Sequence, residues 1–147
     1  MICLDSCFLI DLYWTDSPRH EGALDFFETK IKPSKEKILV FYNVFNEFIH
    51  VITDSKRFEN ALTVKQAIEI VNDWCDIENI VVVYPNDDSF VRSKLWMKIH
   101  NLGRKRIVDT EMASCYLLSG GTQLVTANPN DFEIFDSFEL LNYAEKK

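Results

Sequence analysis

The residue pattern predicts an α/β fold, with a central parallel sheet of four to five strands flanked by helices on both faces. Three observations lead there. Short apolar runs rich in β-branched and aromatic residues recur at 2–5, 37–42, 80–84 and 123–126. One or two stretches of helical spacing separate each run from the next, so the strands cannot join through hairpins and must pair in parallel through crossovers. The chain has 147 residues, of which 47% are hydrophobic and 27% charged, a balance suited to one folded core. No linker, repeat or low-complexity segment interrupts it, and a single domain over 1–147 is expected.

The elements follow in order. Residues 2–5 form a buried strand that runs directly into an amphipathic helix at 6–14. A turn-rich break at 15–22 precedes helical spacing through Leu24, Phe27 and Ile31. The second strand spans 37–42, and Asn43 is placed to N-cap a helix at 44–53. Val64, Ala67, Ile68, Val71 and Trp74 give the next helix its period over 63–75. The β-branched run at 80–84 is closed by Pro85. Asp87 and Asp88 open a helix through Phe90, Leu95 and Ile99 to Leu102, with Gly103 as its stop. A further helix at 109–119 ends at Gly120-Gly121, the fourth strand follows at 123–126, and a last strand is placed at 138–141.

Composition excludes several function classes. Only four glycines are present, and no three lie close enough together to form a dinucleotide or P-loop phosphate cradle. The four cysteines include no Cys-x-x-Cys pair, which removes zinc-ribbon and thioredoxin-like readings and suggests reduced, mostly buried thiols. No apolar run reaches the roughly 18 residues of a membrane span. Asp5 and Asp11 occupy the region where a signal peptide carries basic residues, so a cytoplasmic location with no membrane partner is expected. The formal net charge of −7 argues against a general polyanion binder.

Ligands of open parallel sheets bind outside the carboxyl ends of the strands, and this chain delivers carboxylates there. Asp5 ends the first strand. Glu47 stands one turn into the helix after the second, and Asp131 lies in the Asn128-Pro129-Asn130-Asp131 turn beyond the fourth. Asp109 begins the helix that feeds the fourth strand, which puts it at the opposite edge of the sheet unless that helix starts near the crevice. On a wheel of about 100° per residue, Asp109 shares a face with Met112, Ala113 and Tyr116, an apolar setting in which a carboxylate needs a partner. Periodicity leaves Glu47 at the surface. Position alone leaves each acid two readings: Asp5 and Asp109 as helix caps or ligands, Glu47 as a solvated residue or ligand, Asp131 as a turn former or ligand.

Together these segments resemble the PIN-domain ribonucleases, and most closely the VapC-type toxins of toxin–antitoxin pairs. The resemblance is carried by the stretch Leu4 to Leu12 around Asp5, by Asn46-Glu47-Phe48, by Ile107-Val108-Asp109 with Ala113, and by the run from Leu124 to Phe132. It implies a PIN-like fold in which Asp5, Glu47, Asp109 and Asp131 bind Mg²⁺ or Mn²⁺ and hydrolyse RNA phosphodiester bonds. Ser6, Thr126 and Asn128 would line the pocket. It also implies a cognate antitoxin protein as partner and a homodimer. Two departures stand out: Cys7 where a small polar residue is common, and Ala127 where a basic residue often follows the Thr. The donor chemistry suits the implied metal, because hard divalent ions prefer oxygen ligands and carboxylates crowded together need a compensating cation.

An RNA substrate also needs positive charge. Between residues 89 and 108 the chain carries Arg92, Lys94, Lys98, Arg104, Lys105 and Arg106 and no acid, with Trp96 and His100 interspersed as candidate stacking residues. A solvated helix face with Trp96 in the core is the plain alternative. Two other functions compete. A phosphoacceptor signalling domain would want a second acid beside Asp5 and a Lys at a late strand end, whereas Leu4 and Ser6 flank Asp5 and the late strand ends in Thr126. A non-catalytic PIN-like module that binds RNA or protein keeps the fold without the chemistry.

Overall fold

A computed structural model describes residues 1–145. Five strands, β1 (Ile2–Leu4), β2 (Ile38–Phe41), β3 (Ile80–Val83), β4 (Gln123–Val125) and β5 (Glu139–Leu141), form one parallel sheet in the order β3-β2-β1-β4-β5. Leu4 lies opposite Val40 on one side and Val125 on the other. The first two crossovers carry α1 (Ser6–Tyr13) with α2 (His20–Phe26), then α3 (Tyr42–Ile52) with α4 (Val64–Cys75). The third, α5 (Asp87–Ile99) with α6 (Ile107–Leu118), steps back across β1 to β4. Right-handed crossovers that step in opposite directions place their helices on opposite faces of the sheet. The strand order therefore reverses at β1 and β4, which opens a crevice beyond their carboxyl ends.

Strand and helix positions match the sequence pattern more closely than their boundaries do. Helix α3 begins at Tyr42 with Phe41 as an uncapped N-cap, so Asn43 lies inside the helix. Aromatic packing overrides the local capping preference here, since the Tyr42 ring packs edge-on against Phe41 and stacks on Tyr84. Helix α5 ends at Ile99, before Gly103, because Asn101 takes the left-handed conformation with φ 49°. The Leu102 amide bonds the Met97 carbonyl at 3.0 Å and the Asn101 amide bonds that of Lys98 at 3.4 Å, completing a Schellman stop with Asn in place of Gly. Helix α2 begins at His20 and widens into a π turn at Phe27–Ile31, burying Ala23 and leaving Leu24 exposed.

Two helices turn apolar residues outward. In α4, Val64 and Ile68 are exposed while Ala67 and Trp74 are buried. In α5 the buried face is Ser89, Ser93 and Trp96, whereas Phe90, Val91, Leu95 and Ile99 are all more than half exposed. Small serines let α5 approach α6, and the Ser114 hydroxyl donates across the interface to the Ser89 carbonyl at 2.9 Å. Trp96 stacks on Phe135 with ring centroids 4.5 Å apart, which settles it in the core and away from bases. One hydrophobic cluster joins both faces of the sheet around Phe8, Phe41, Phe48, Phe132 and Tyr116. Each of those phenylalanines contributes about 1.5–3 kcal/mol by burial.

The α6–β4 connection depends on two glycines. Gly120 adopts φ 86°, and a Cβ on Gly121 would collide with Cys3 Sγ and lie 2.9 Å from the Tyr116 carbonyl. Replacing Gly121 with Ala is expected to cost about 1–3 kcal/mol by forcing the helix end off the sheet. A thermal melt should register the loss as a Tm lowered by several degrees, and an unchanged Tm would refute this account.

Candidate active site

The site begins where β1 ends. Asp5 is extended, caps α1 through a 2.7 Å hydrogen bond from the Ser6 amide to Oδ1, and is only 7% exposed. Its own amide donates to the Val125 carbonyl at 3.1 Å, holding it against the end of β4. On Oδ2 it accepts from the Thr126 hydroxyl at 2.7 Å and from the Cys7 thiol at 3.3 Å. Capping and site placement are therefore compatible roles for one carboxylate. Burial raises the Asp5 carboxyl above the ordinary range; the hydrogen bonds from Thr126, Cys7 and Ser6 oppose that rise, and Glu47 adds to it.

Thr126 is fully buried and also accepts the Asn128 amide at 3.0 Å, which starts the turn into Pro129–Asp131. Ser6 is buried beside Asp5, with its hydroxyl 3.4 Å from Oδ1. The Asn128 side chain is exposed, and this residue supports the pocket through its backbone. Cys7 ties the same strand ends together, accepting the Ala127 amide at 3.4 Å while donating to Asp5. Burial first, then the Asp5 carboxylate, pushes the Cys7 thiol up to about 12, so it stays a neutral donor. In the sequence Cys7 is only a departure from the family pattern, and neither spacing nor periodicity marks it as a neighbour of Asp5.

Asp109 lies on the crevice side. A crossover helix runs back along the sheet, so its first turn starts at the carboxyl edge of the strands. Helix α6 starts at Ile107, two residues before the sequence pattern places it, so Asp109 sits in the first turn and does not cap the helix. Burial first and then Asp5 push its carboxyl up to about 6, with Arg106 opposing and Asp131 and Glu47 adding to the rise. Asp131 closes the 3-10 turn after β4, half-buried. Glu47 is exposed on α3, as its periodicity implies, yet near enough to raise both Asp5 and Asp109. The four acids thus share one electrostatic neighbourhood. Among the described residues, no three Asp, Glu, His or Cys side chains stand close enough together to ligate a single ion.

The basic stretch divides by environment. Arg92 lies 5.5 Å above the Trp96 ring and Lys94 4.8 Å from that of Phe90, both on their own helix. Lys98, Arg104 and Lys105 are exposed. Arg106 turns toward the acids, with Nε 4.0 Å from Asp109 Oδ2 and a donor on the Asp131 carbonyl. His100 is half-buried, edge-on to Phe135.

A second feature escapes sequence reasoning. Tyr116, wholly buried, donates from its hydroxyl to the Leu4 carbonyl at 2.5 Å and accepts the Phe41 amide at 2.8 Å. It bridges the ends of β1 and β2 immediately before Asp5. A cavity of about 990 Å³ lies elsewhere, between α2 and the segment from β5 to Glu145, and none of the four acids lines it.

The sequence profile of the PIN domain matches residues 2–136. The chain belongs to the PIN-domain family. Its fold is similar to that of VapC20 from Mycobacterium tuberculosis, a sarcin–ricin-loop-cleaving toxin (TM-score 0.65, 14% identity, 84% of this chain and 87% of that one). It is also similar to VapBC-1 from nontypeable Haemophilus influenzae (0.67, 16%, 99% and 100%). A third is VapBC2 from Rickettsia felis, bound to a promoter DNA fragment (0.65, 14%, 97% and 98%). No curated protein sequence matches this chain significantly. No helix among the described residues is long and apolar enough to cross a membrane.

The raised carboxyl of Asp109 predicts a pH dependence for the metal-free protein. Between its ordinary value of 3.8 and about 6 the folded state binds more protons than the unfolded state, so stability falls as pH rises through that window. Asp109→Asn should flatten this fall and raise the Tm at pH 7 in EDTA. Superimposable pH–Tm curves for the two proteins would contradict the assignment.

Proposed function

We propose that this protein is a metal-dependent ribonuclease that hydrolyses RNA phosphodiester bonds, acting in the cytoplasm as the toxin of a toxin–antitoxin pair. The observation that carries this reading is the Asp5–Thr126 junction at the β1/β4 switch point, with Asp5, Asp131 and Glu47 all close enough to raise the Asp109 carboxyl. The donor set fits a hard divalent cation. It consists of carboxylate oxygens, and among the described residues the one ion pair to them is that of Arg106 with Asp109 at 4.0 Å. Asp5, Glu47, Asp109 and Asp131 would hold Mg²⁺ or Mn²⁺. When bound, the ion supplies positive charge to the phosphate and to an attacking water.

The chain's own residues do the rest. Thr126, Cys7 and the Ser6 amide hold Asp5 in one orientation. Membership of the PIN-domain family, together with the absence of a lysine partner on Asp5 among the described residues, argues against the phosphoacceptor alternative. Arg104, Lys105 and Lys98 form the exposed positive route to the acids, with Arg92 and Lys94 as weaker contributors already engaged with aromatic rings. The open apolar face of α5 supports a homodimer, and a cognate antitoxin would cover the acids and block cleavage. One observation favours a second reading. No three acids among the described residues converge on a common point, as a non-catalytic PIN-like RNA- or protein-binding module would allow.

RNA cleavage assayed with Mg²⁺ or Mn²⁺ and with EDTA decides between them. The proposal expects cleavage that EDTA stops, and a loss of about a hundredfold or more in Asp5→Asn with the melt retained. Full activity in that variant or in EDTA would overturn it. Reversing charge at Arg104 and Lys105 should weaken RNA binding and flatten its salt dependence, by about 0.7 in log–log slope for each phosphate that is no longer neutralised. An unaltered slope would remove these residues from the substrate route.

A further inference from the structure

One positive charge stands beside Asp109 and Asp131, and its placement is unusual. Arg106 is the sole basic residue of the stretch that turns inward, its side chain 25% exposed. Its guanidinium donates to the Asp131 backbone carbonyl, so it spans the gap between the start of α6 and the turn after β4. Among the described residues it forms the only ion pair made by any of the four acids. That pair is incomplete: Nε is buried, 4.0 Å from Asp109 Oδ2, and has no hydrogen-bond partner.

An unpaired buried donor on a charged group is costly, so its persistence calls for a cause. The backbone supplies one. The Arg106 amide bonds the Gly103 carbonyl at 2.9 Å, and the Arg106 carbonyl accepts the buried Thr110 hydroxyl at 2.6 Å. Held at both backbone groups and at the Asp131 carbonyl, the guanidinium stays beside Asp109 without closing on it. A cation held by Asp109 would have to share that carboxylate's charge with this arginine.

We propose that Arg106 is the resident counter-ion of the acid pocket and competes with the divalent cation for it, setting the affinity of the protein for metal. This rests on the reading of the acids as metal ligands. Removing a unit charge about 4 Å from a ligand carboxylate, discounted for partial solvent exposure, should tighten cation binding about tenfold.

The test is a calorimetric titration of Mn²⁺ into the wild-type protein, Arg106→Gln, Arg106→Lys and Asp5→Asn. Arg106→Gln is expected to bind Mn²⁺ about tenfold more tightly, Arg106→Lys to stay within about twofold of wild type, and Asp5→Asn to lose binding. Thermal melts add a readout that a merely structural role would not move. Arg106→Gln should melt below wild type in EDTA, and saturating Mn²⁺ should close that gap; if the variant is unfolded in EDTA, Mn²⁺ should restore its fold. Equal or weaker Mn²⁺ binding by Arg106→Gln, or a melting deficit that Mn²⁺ leaves unchanged, would overturn the proposal while Asp5→Asn still separates metal binding from its absence. Undiminished binding by Asp5→Asn would instead overturn the metal reading itself.

Discussion

The 2.7 Å hydrogen bond from Thr126 to Asp5 joins the carboxyl ends of β1 and β4, and the arrangement of the site depends on it. These strands are adjacent only because the third crossover steps back over the sheet, and the bond lies at the point where that reversal leaves a crevice. A carboxylate buried this deeply needs its oxygens satisfied. Ser6 serves one oxygen while Thr126 and Cys7 serve the other, so the requirement of burial fixes the orientation of the side chain. Tyr116 completes the frame from the other side by bridging the ends of β1 and β2.

Charge is the second organising constraint. The net −7 is not spread evenly: Asp5, Glu47, Asp109 and Asp131 share one electrostatic neighbourhood at the crevice, and of the six basic residues from Arg92 to Arg106 it is Arg106 that stands beside Asp109. Asp109 is pushed up to about 6 by burial and by its acidic neighbours, in the direction that disfavours full ionisation of the pocket. Arg106 belongs to both halves of that arrangement, positive in the sequence stretch and folded in against the acids.

Helices α5 and α6 show how packing reassigns residues that look similar in sequence. Buried serines line the interface between them, and the larger apolar residues of α5 face outward. Hydrophobic periodicity alone would turn that helix the other way. The cavity beside α2 makes a related point, since this concavity of about 990 Å³ and the four acids occupy different parts of the molecule.

Much was legible in the amino-acid sequence. The apolar runs and the spacing between them specified a parallel α/β sheet, because strands separated by whole helices have no other economical way to pair. The segments around Asp5, Glu47, Asp109 and Asp131 specified the PIN-domain family, because together they span nearly the whole chain in its order. Tertiary structure decided what depends on the meeting of distant segments. Glu47 looks like an ordinary surface residue on its helix and acquires meaning only from Asp5 and Asp109 across the crevice. Tyr116 and the Cys7–Ala127 contact carry no local signal, since the partners lie more than seventy positions apart. Arg106 reads in sequence as one of six solvated cations, and only the meeting of α6 with the turn after β4 singles it out. Sequence periodicity reports which face of an element is apolar, whereas the position of a charge relative to other charges is a property of the folded chain.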